Sequence, residues 1–337
     1  LSLGNGVAAG SSVKTGTGTT TITGVLRVNA LQRLYAATSS WVLSGSGTPF
    51  TVSATGNFHV QVAPFTFSGT GATTVADQTY AALLLTPSAA GTPTYTLRGG
   101  TLSATSVAIG GTNPVSVDAN TNDPSMSISG GVVIGASSTF TASNVGALDV
   151  GGSWQNAGTF VASGATVNFN STDTGETIDP GSSSFAGISF NSPTGGWTIT
   201  QNATTTGNAS LLNAASFTLS PNKTLTVGGS FTNSVGGSAT TWATSTLSLT
   251  SGTSFSINAK TNTGDTYGTL SIAASTNVRM WNSSAATTTV NSTGSLYSQD
   301  HAAVDGNLYI WGAYTRSSGS DYWSYATDFD GTSLATS

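Results

Sequence analysis

Apolar and hydroxyl residues alternate in short runs along most of the chain, and glycine or another turn-prone residue breaks each run after a few positions. TFVAS (159–163), TVNFN (166–170), GWTIT (196–200), SFTLS (216–220), TLTV (224–227), STLSLT (245–250) and SFSINA (254–259) all follow this rule. A period of two sends successive side chains to opposite faces of a strand, so each run has one dry face and one wet face. An amphipathic helix needs apolar residues three and four apart, and that spacing is almost absent. Threonine, frequent in these runs, packs its branched Cβ well on a pleated surface. GG, SG, NP and SP dipeptides separate the runs and supply turns. The expected class is all-β.

Repetition chooses among all-β folds. The phrase LDVGGSWQN (148–156) returns as LTVGGSFTN (225–233) and, altered, as LYIWGAYT (308–315), which places Leu148, Leu225 and Leu308 77 and 83 residues apart. Longer stretches also align: FTFSGTGATTVADQTYAALLLT (65–86), VNFNSTDTGETIDPGSSSFAGISFN (167–191) and LSLTSGTSFSINAKTNTGDTYGTLSIA (247–273). Short strands joined by loops of unequal length suit a parallel β-solenoid, or β-helix, with roughly 20 residues per coil. In that reading the phrase marks one recurring strand position, and the three leucines point inward from equivalent rungs of a single ladder. The alternative is a row of tandem β-sandwich domains of about 100 residues each. Against it, the repeats merge without a linker rich in proline or charge. The expected division is an N-terminal β region over 1–64 with an assembly or capping role, a repetitive solenoid over 65–306, and an aromatic-rich β segment over 307–337.

The pattern from Phe65 onward resembles the Gly/Ser/Thr/Asn-rich repeat regions of large bacterial surface and adhesin-like β-helix proteins, and the segment 307–332 looks like more of the same. The resemblance implies an architecture, a rod of stacked coils at a cell surface, and no particular activity. It also leaves open that the chain is a piece of something longer, or a trimmed product, since it begins with Leu1.

Charge excludes several functions. Charged residues make up 6% of the chain, against roughly a quarter in an average soluble domain, whereas Ser and Thr supply about a third. The hydrophobic fraction of 37% is ample for a core, so this is not the signature of a disordered chain. Lys14, Arg27, Arg33, Arg98, Lys223, Lys260, Arg279 and Arg316 are scattered singly, which gives no basic stripe for nucleic acid. There is no cysteine, hence neither a disulfide framework nor a thiolate metal site. The longest apolar run, YAALLL (80–85), is too short to span a bilayer. A hydroxyl-rich, charge-poor exterior suits an extracellular setting.

Chemistry has little to work with. Asp173, Glu176 and Asp179 form the densest acidic group, followed by Asp321, Asp328 and Asp330, and by Asp300 with Asp305. The plain reading is solvated loop carboxylates; a calcium loop, which needs several oxygen ligands close together, is the alternative. A polysaccharide-degrading β-helix enzyme would need Asp173, Glu176 or Asp179 to converge on a groove as an acid–base pair. His59 and His301 are the only histidines and make no triad. No catalytic, cofactor or metal residue is assigned. Six N-x-S/T sequons, at Asn170, Asn202, Asn208, Asn222, Asn282 and Asn291, match the number chance would give in so hydroxyl-rich a chain; these asparagines are expected in turns or in stacked amide ladders. Tyr309, Trp311, Tyr314, Tyr322, Trp323, Tyr325 and Phe329 crowd the tail, as a denser core, a subunit interface or a carbohydrate platform.

The expectation is therefore a non-enzymatic extracellular structural protein, a subunit of a head-to-tail filament or a surface stalk. The rival is an adhesin that grips cell-surface glycans through the aromatic tail, with Trp323 as the residue to test.

Overall fold

The computed structural model describes residues 1–3, 10–13, 17–242 and 244–250, and beyond them 255–258, 265–272, 278–281, 287–290, 295–298, 302–305, 307–310, 313–316, 322–323, 327–329 and 332–334; side chains are described up to 250, except at 11–13, and again at 267–271. Among the described residues there is no helix, and strands run from two to nine residues. The fold is an all-β parallel β-solenoid, not a row of sandwiches. Two compact units divide the chain, 1–165 and 166–337.

In the first unit each strand lies parallel on one from the previous turn. Trp41–Leu43 pairs with Phe65–Phe67, which pairs in turn with Thr79–Leu85 and, through it, with Thr101–Ile109. Thr101–Ile109 is long enough to pass a corner: its first half pairs with Ser125–Ile128 and its second half with Val132–Ile134. A separate ladder stacks Thr73–Val75, Thr94–Leu97, Ser116–Asp118, Thr139–Thr141 and Thr159–Val161. Turn-to-turn side-chain bonds span 20 to 27 residues here, somewhat more than the coil length expected. Inward positions are filled with rings. Phe50, Phe58, Phe65, Phe67 and Tyr80 pack with centroids 5.0–6.2 Å apart.

In the second unit the in-register partners of successive turns stand 18 to 26 residues apart, and side-chain bonds between Asn191 and Thr250 that span 22 or 23 residues link several of its turns. One ladder stacks Ala203–Thr205, Thr224–Val227, Thr246–Leu249, Thr269–Ile272, Ser295–Ser298 and Ala313–Arg316. Phe169 stacks on Phe190 at 5.1 Å and 16°, Phe190 touches Trp197 and Phe217, and the chain of rings continues through Trp242 to Tyr267. Among the described residues, every pairing within a unit is parallel except one. Thr332–Leu334 folds back antiparallel on Thr327–Phe329 and covers the edge of that ladder.

The recurring phrase proves to be a corner. Gly151 and Gly152 join Leu148–Val150 to Trp154–Asn156, and Gly228 and Gly229 join Thr224–Val227 to Phe231–Asn233. A Cβ on Gly152 would lie 2.5 Å from the carbonyl carbon of Gly130, and one on Gly229 2.6 Å from that of Gly207. Backbone rests on backbone at these vertices, so only glycine fits. The aromatic after the corner, Trp154 or Phe231, is fully buried.

One expectation fails here. Leu148 and Leu225 do point inward, but the three leucines do not share a ladder. Leu148 is in register with Met126, Leu225 with Ala203 and Leu247, and Leu308 with Thr288 and Thr327. The reason is geometric. Turns differ in length, with in-register partners 18 to 26 residues apart in the second unit, so a phrase that recurs in sequence need not return to the same ladder. Any vertex where strands of successive turns touch imposes the same demand for small residues followed by an apolar one.

Candidate functional site

Asp173 lies in an exposed turn, Glu176 opens the strand Glu176–Asp179 in register with Trp197, and Asp179 follows at its end. Asp179 Oδ1 accepts a hydrogen bond from the Gly181 N–H at 2.9 Å, which closes the Asp-Pro-Gly turn. Other described carboxylates do similar work. Asp118 accepts from the N–H groups of Asn120 and Thr121, Asp123 accepts from Ser143 Oγ and the Asn144 N–H of the next turn, and Asp77 faces Arg98 at 3.6 Å on the surface. Among the described residues no three His, Asp or Glu side chains stand where they could hold a metal ion.

His59 stacks flat on Tyr35, one turn earlier, with centroids 4.9 Å apart and planes 8° apart. Asp300, His301, Asp321, Asp330, Trp311 and Tyr325 lie outside the described residues, as do Asn282 and Asn291. Asp305, Tyr309, Tyr314, Tyr322, Trp323, Asp328 and Phe329 occupy strands whose side chains are not described.

The remaining sequon asparagines occupy turns. Asn202 Oδ1 accepts from the Thr224 N–H and Asn208 Oδ1 from the Ser230 N–H, each at 2.9 Å and 22 residues on. Asn222 sits in the left-handed region at φ 60°, a conformation asparagine tolerates better than most residues. Asn170 is exposed. A true amide contact between turns occurs elsewhere, where Asn213 Nδ2 donates to Asn191 Oδ1 at 2.7 Å.

Surface hydroxyl residues of the second unit are ordered over several turns, and Thr177, Thr198, Thr218 and Thr241 stand in register in one ladder. In the second unit, Thr224, Thr246 and Thr269 form an outward column, preceded in register by Asn202. Two residues further along each strand, Thr204, Thr226, Ser248 and Ser271 form another. The seven hydroxyl residues are all half-buried, and no bulge interrupts their register. Between the columns Ala203, Leu225, Leu247 and Leu270 point into the core. Hydroxyls at nearby corners are spent on carbonyls of the previous turn, as for Thr206 on Phe185 and Thr250 on Val227. Among the described residues the seven column hydroxyls make no side-chain hydrogen bond. Sequence reasoning took these threonines as strand formers only; their recurrence at 22- or 23-residue intervals was the signal that separates a column from scattered residues.

No family model, curated protein or solved structure matches the chain.

Proposed function

We propose that the chain is a non-enzymatic extracellular structural protein, a subunit of a self-assembling filament or a stalk-like surface segment. The observation that carries this reading is the run of parallel strands, five deep in one ladder of the first unit and six deep in one ladder of the second. Backbone hydrogen bonds repeated over so many turns make a stiff body, since every N–H and C=O of an inner strand is held on both sides. Hydroxyl and amide groups in place of ions make an inert exterior, which agrees with a 6% charged fraction. Asp118 and Asp179 accept hydrogen bonds from backbone N–H groups of their own turns, which supports a passive role. The resemblance to surface repeat proteins supports the extracellular setting.

Self-association follows from the open edges of parallel ladders, which present unpaired backbone groups to a further copy. A head-to-tail contact of that kind does not close on itself and grows into a filament. Thr332–Leu334 blocks this route on its own ladder, which leaves the neighbouring ladders to make the contact. Electron microscopy of the purified chain across a concentration series tests the filament form: rods that lengthen with concentration support it, and particles that remain monomeric at high concentration overturn it. Immunogold labelling of intact cells tests the location, and an exclusively interior signal overturns an extracellular role.

A further inference from the structure

Charge is segregated along the chain. Residues 1–76 carry Lys14, Arg27 and Arg33 and no Asp or Glu, whereas all 13 acidic residues and the other five basic ones lie beyond them. Two three-stranded sheets are built in that cationic stretch, one of Ser2–Leu3, Leu26–Val28 and Phe50–Val52, the other of Gly10–Val13, Gln32–Tyr35 and Asn57–His59. Arg27 is the outward residue of Leu26–Val28, Arg33 is outward on Gln32–Tyr35, and both are exposed. Their neighbours in register are uncharged: Ser2 and Thr51 beside Arg27, Ser11 and Asn57 beside Arg33. Among the described residues neither arginine has a carboxylate partner, in contrast to Arg98, which faces Asp77.

Between the two arginines, at the corner 29–31, Leu31 is 46% exposed at φ 62°, a region that bulky side chains rarely adopt. Its N–H donates to the carbonyl and to Oγ1 of Thr55 in the next turn, each at 3.2 Å, which holds it there. Tyr35 is outward as well and lies flat on His59. This corner therefore presents two cations without counter-charge, an apolar side chain fixed in the open, and a ring. Arginine and tyrosine are enriched where proteins meet, and a guanidinium group takes a carboxylate in paired hydrogen bonds. The chain itself supplies the complementary surface, since its second unit holds nine acidic residues against four basic ones. Unlike surfaces attract and like surfaces repel, so a contact between them joins copies head to tail, and a contact of that kind does not close. We propose, resting on the filament reading above, that the Arg27–Leu31–Arg33 face of one copy docks on the acidic second unit of the next and sets the direction of growth.

The test is assembly of the purified full chain, followed by light scattering and electron microscopy. The wild type is expected to form rods in low salt, and sodium chloride at about 0.5 M, which screens charges beyond a few ångströms, is expected to shorten them. Arg27→Glu with Arg33→Glu is expected to need about tenfold more protein to assemble, while circular dichroism stays unchanged. Mixed in as a minor component, this variant is expected to shorten wild-type rods, because it keeps the acidic surface and so joins a growing rod on that side alone. Arg98→Glu with Lys223→Glu makes the same change in net charge elsewhere and is expected to assemble as the wild type does. If the first double variant does not fold, Arg27→Gln with Arg33→Gln replaces it. Rods that form equally well with both double variants overturn the proposal and leave the filament reading standing. A wild type that stays monomeric in low salt overturns both, and binding of those monomers through Arg27 and Arg33 to vesicles of an anionic phospholipid would assign the face to a membrane instead.

Discussion

Gly152 shows how narrowly a single position can be constrained. An added methyl group would meet the backbone of Gly130, which cannot swing aside as a side chain can. Gly152→Ala is expected to destabilise the first unit by about 1–3 kcal/mol, the usual cost of overpacking, as read by urea unfolding. Gly24→Ala, where nothing stands within 4 Å, is the control and should change little. The glycine pair was legible in the sequence as a turn, but its role was not, because the contact that requires glycine comes from a residue one whole turn away. Tyr80 and Tyr95 give a second prediction at this scale. Their phenols are buried and donate to the carbonyls of Ala76 and Gly69 at 2.8 and 2.6 Å. Burial raises the pKa of both, and the charge of Asp77 adds to the effect at Tyr80. Above about pH 10, where an unfolded tyrosine begins to lose its proton, the folded state holds more protons than the unfolded one. Stability is therefore full below pH 10 and falls as pH rises beyond it, by up to about 1.4 kcal/mol per pH unit for each phenol. Alkaline denaturation followed by tyrosinate absorbance checks this: the two phenols should ionise only as the first unit unfolds, and Tyr95→Phe should reduce the slope.

Between residue and molecule stands the ladder. Strands were legible at this scale because inward and outward side chains differ so sharply. The runs SFTLS and TLTV place Phe217, Leu219, Leu225 and Val227 inside and their hydroxyl neighbours outside, as alternation requires. Which strand lies on which was less legible. Register depends on loop length, and LYIWGAYT resembles LTVGGSFTN while Leu308 and Leu225 lie in separate ladders. The hydroxyl columns went unseen for the same reason, since no threonine column exists until the turn length is known. Packing along the stack is cumulative. Phe190 touches Phe169, Trp197 and Phe217, so Phe190→Ala removes a ring that links three turns. The expected loss is about 3–5 kcal/mol, measured by denaturant unfolding of the whole chain with ring burial followed by tryptophan fluorescence. Thr198→Ala, on an outward position, should lie within about 0.5 kcal/mol of wild type.

For the whole chain, the scarcity of ions has a measurable result. Arg98 with Asp77 is the one ion pair among the described residues, and it is solvent-exposed; such pairs contribute at most about 1 kcal/mol. Unfolding free energy in sodium chloride should therefore shift by less than about 1 kcal/mol between low and high concentration, and a larger fall would mean that charge interactions outside the described residues matter. All-β class and solenoid architecture could be read from composition and alternation because both are local in sequence. The acidic groups could not be sorted that way, since closeness in sequence puts Asp173, Glu176 and Asp179 on a turn and the two ends of a strand.

Each turn of these units adds about 4.8 Å to a stack, yet takes up 18 to 26 residues in the second unit. A turn peeled off under tension would release about 75 Å of extended chain. Loaded in that way, a unit would yield one coil at a time, dissipate work over a long extension and rewind when the load is removed, so that the coiling which gives stiffness at rest also serves as a mechanical fuse.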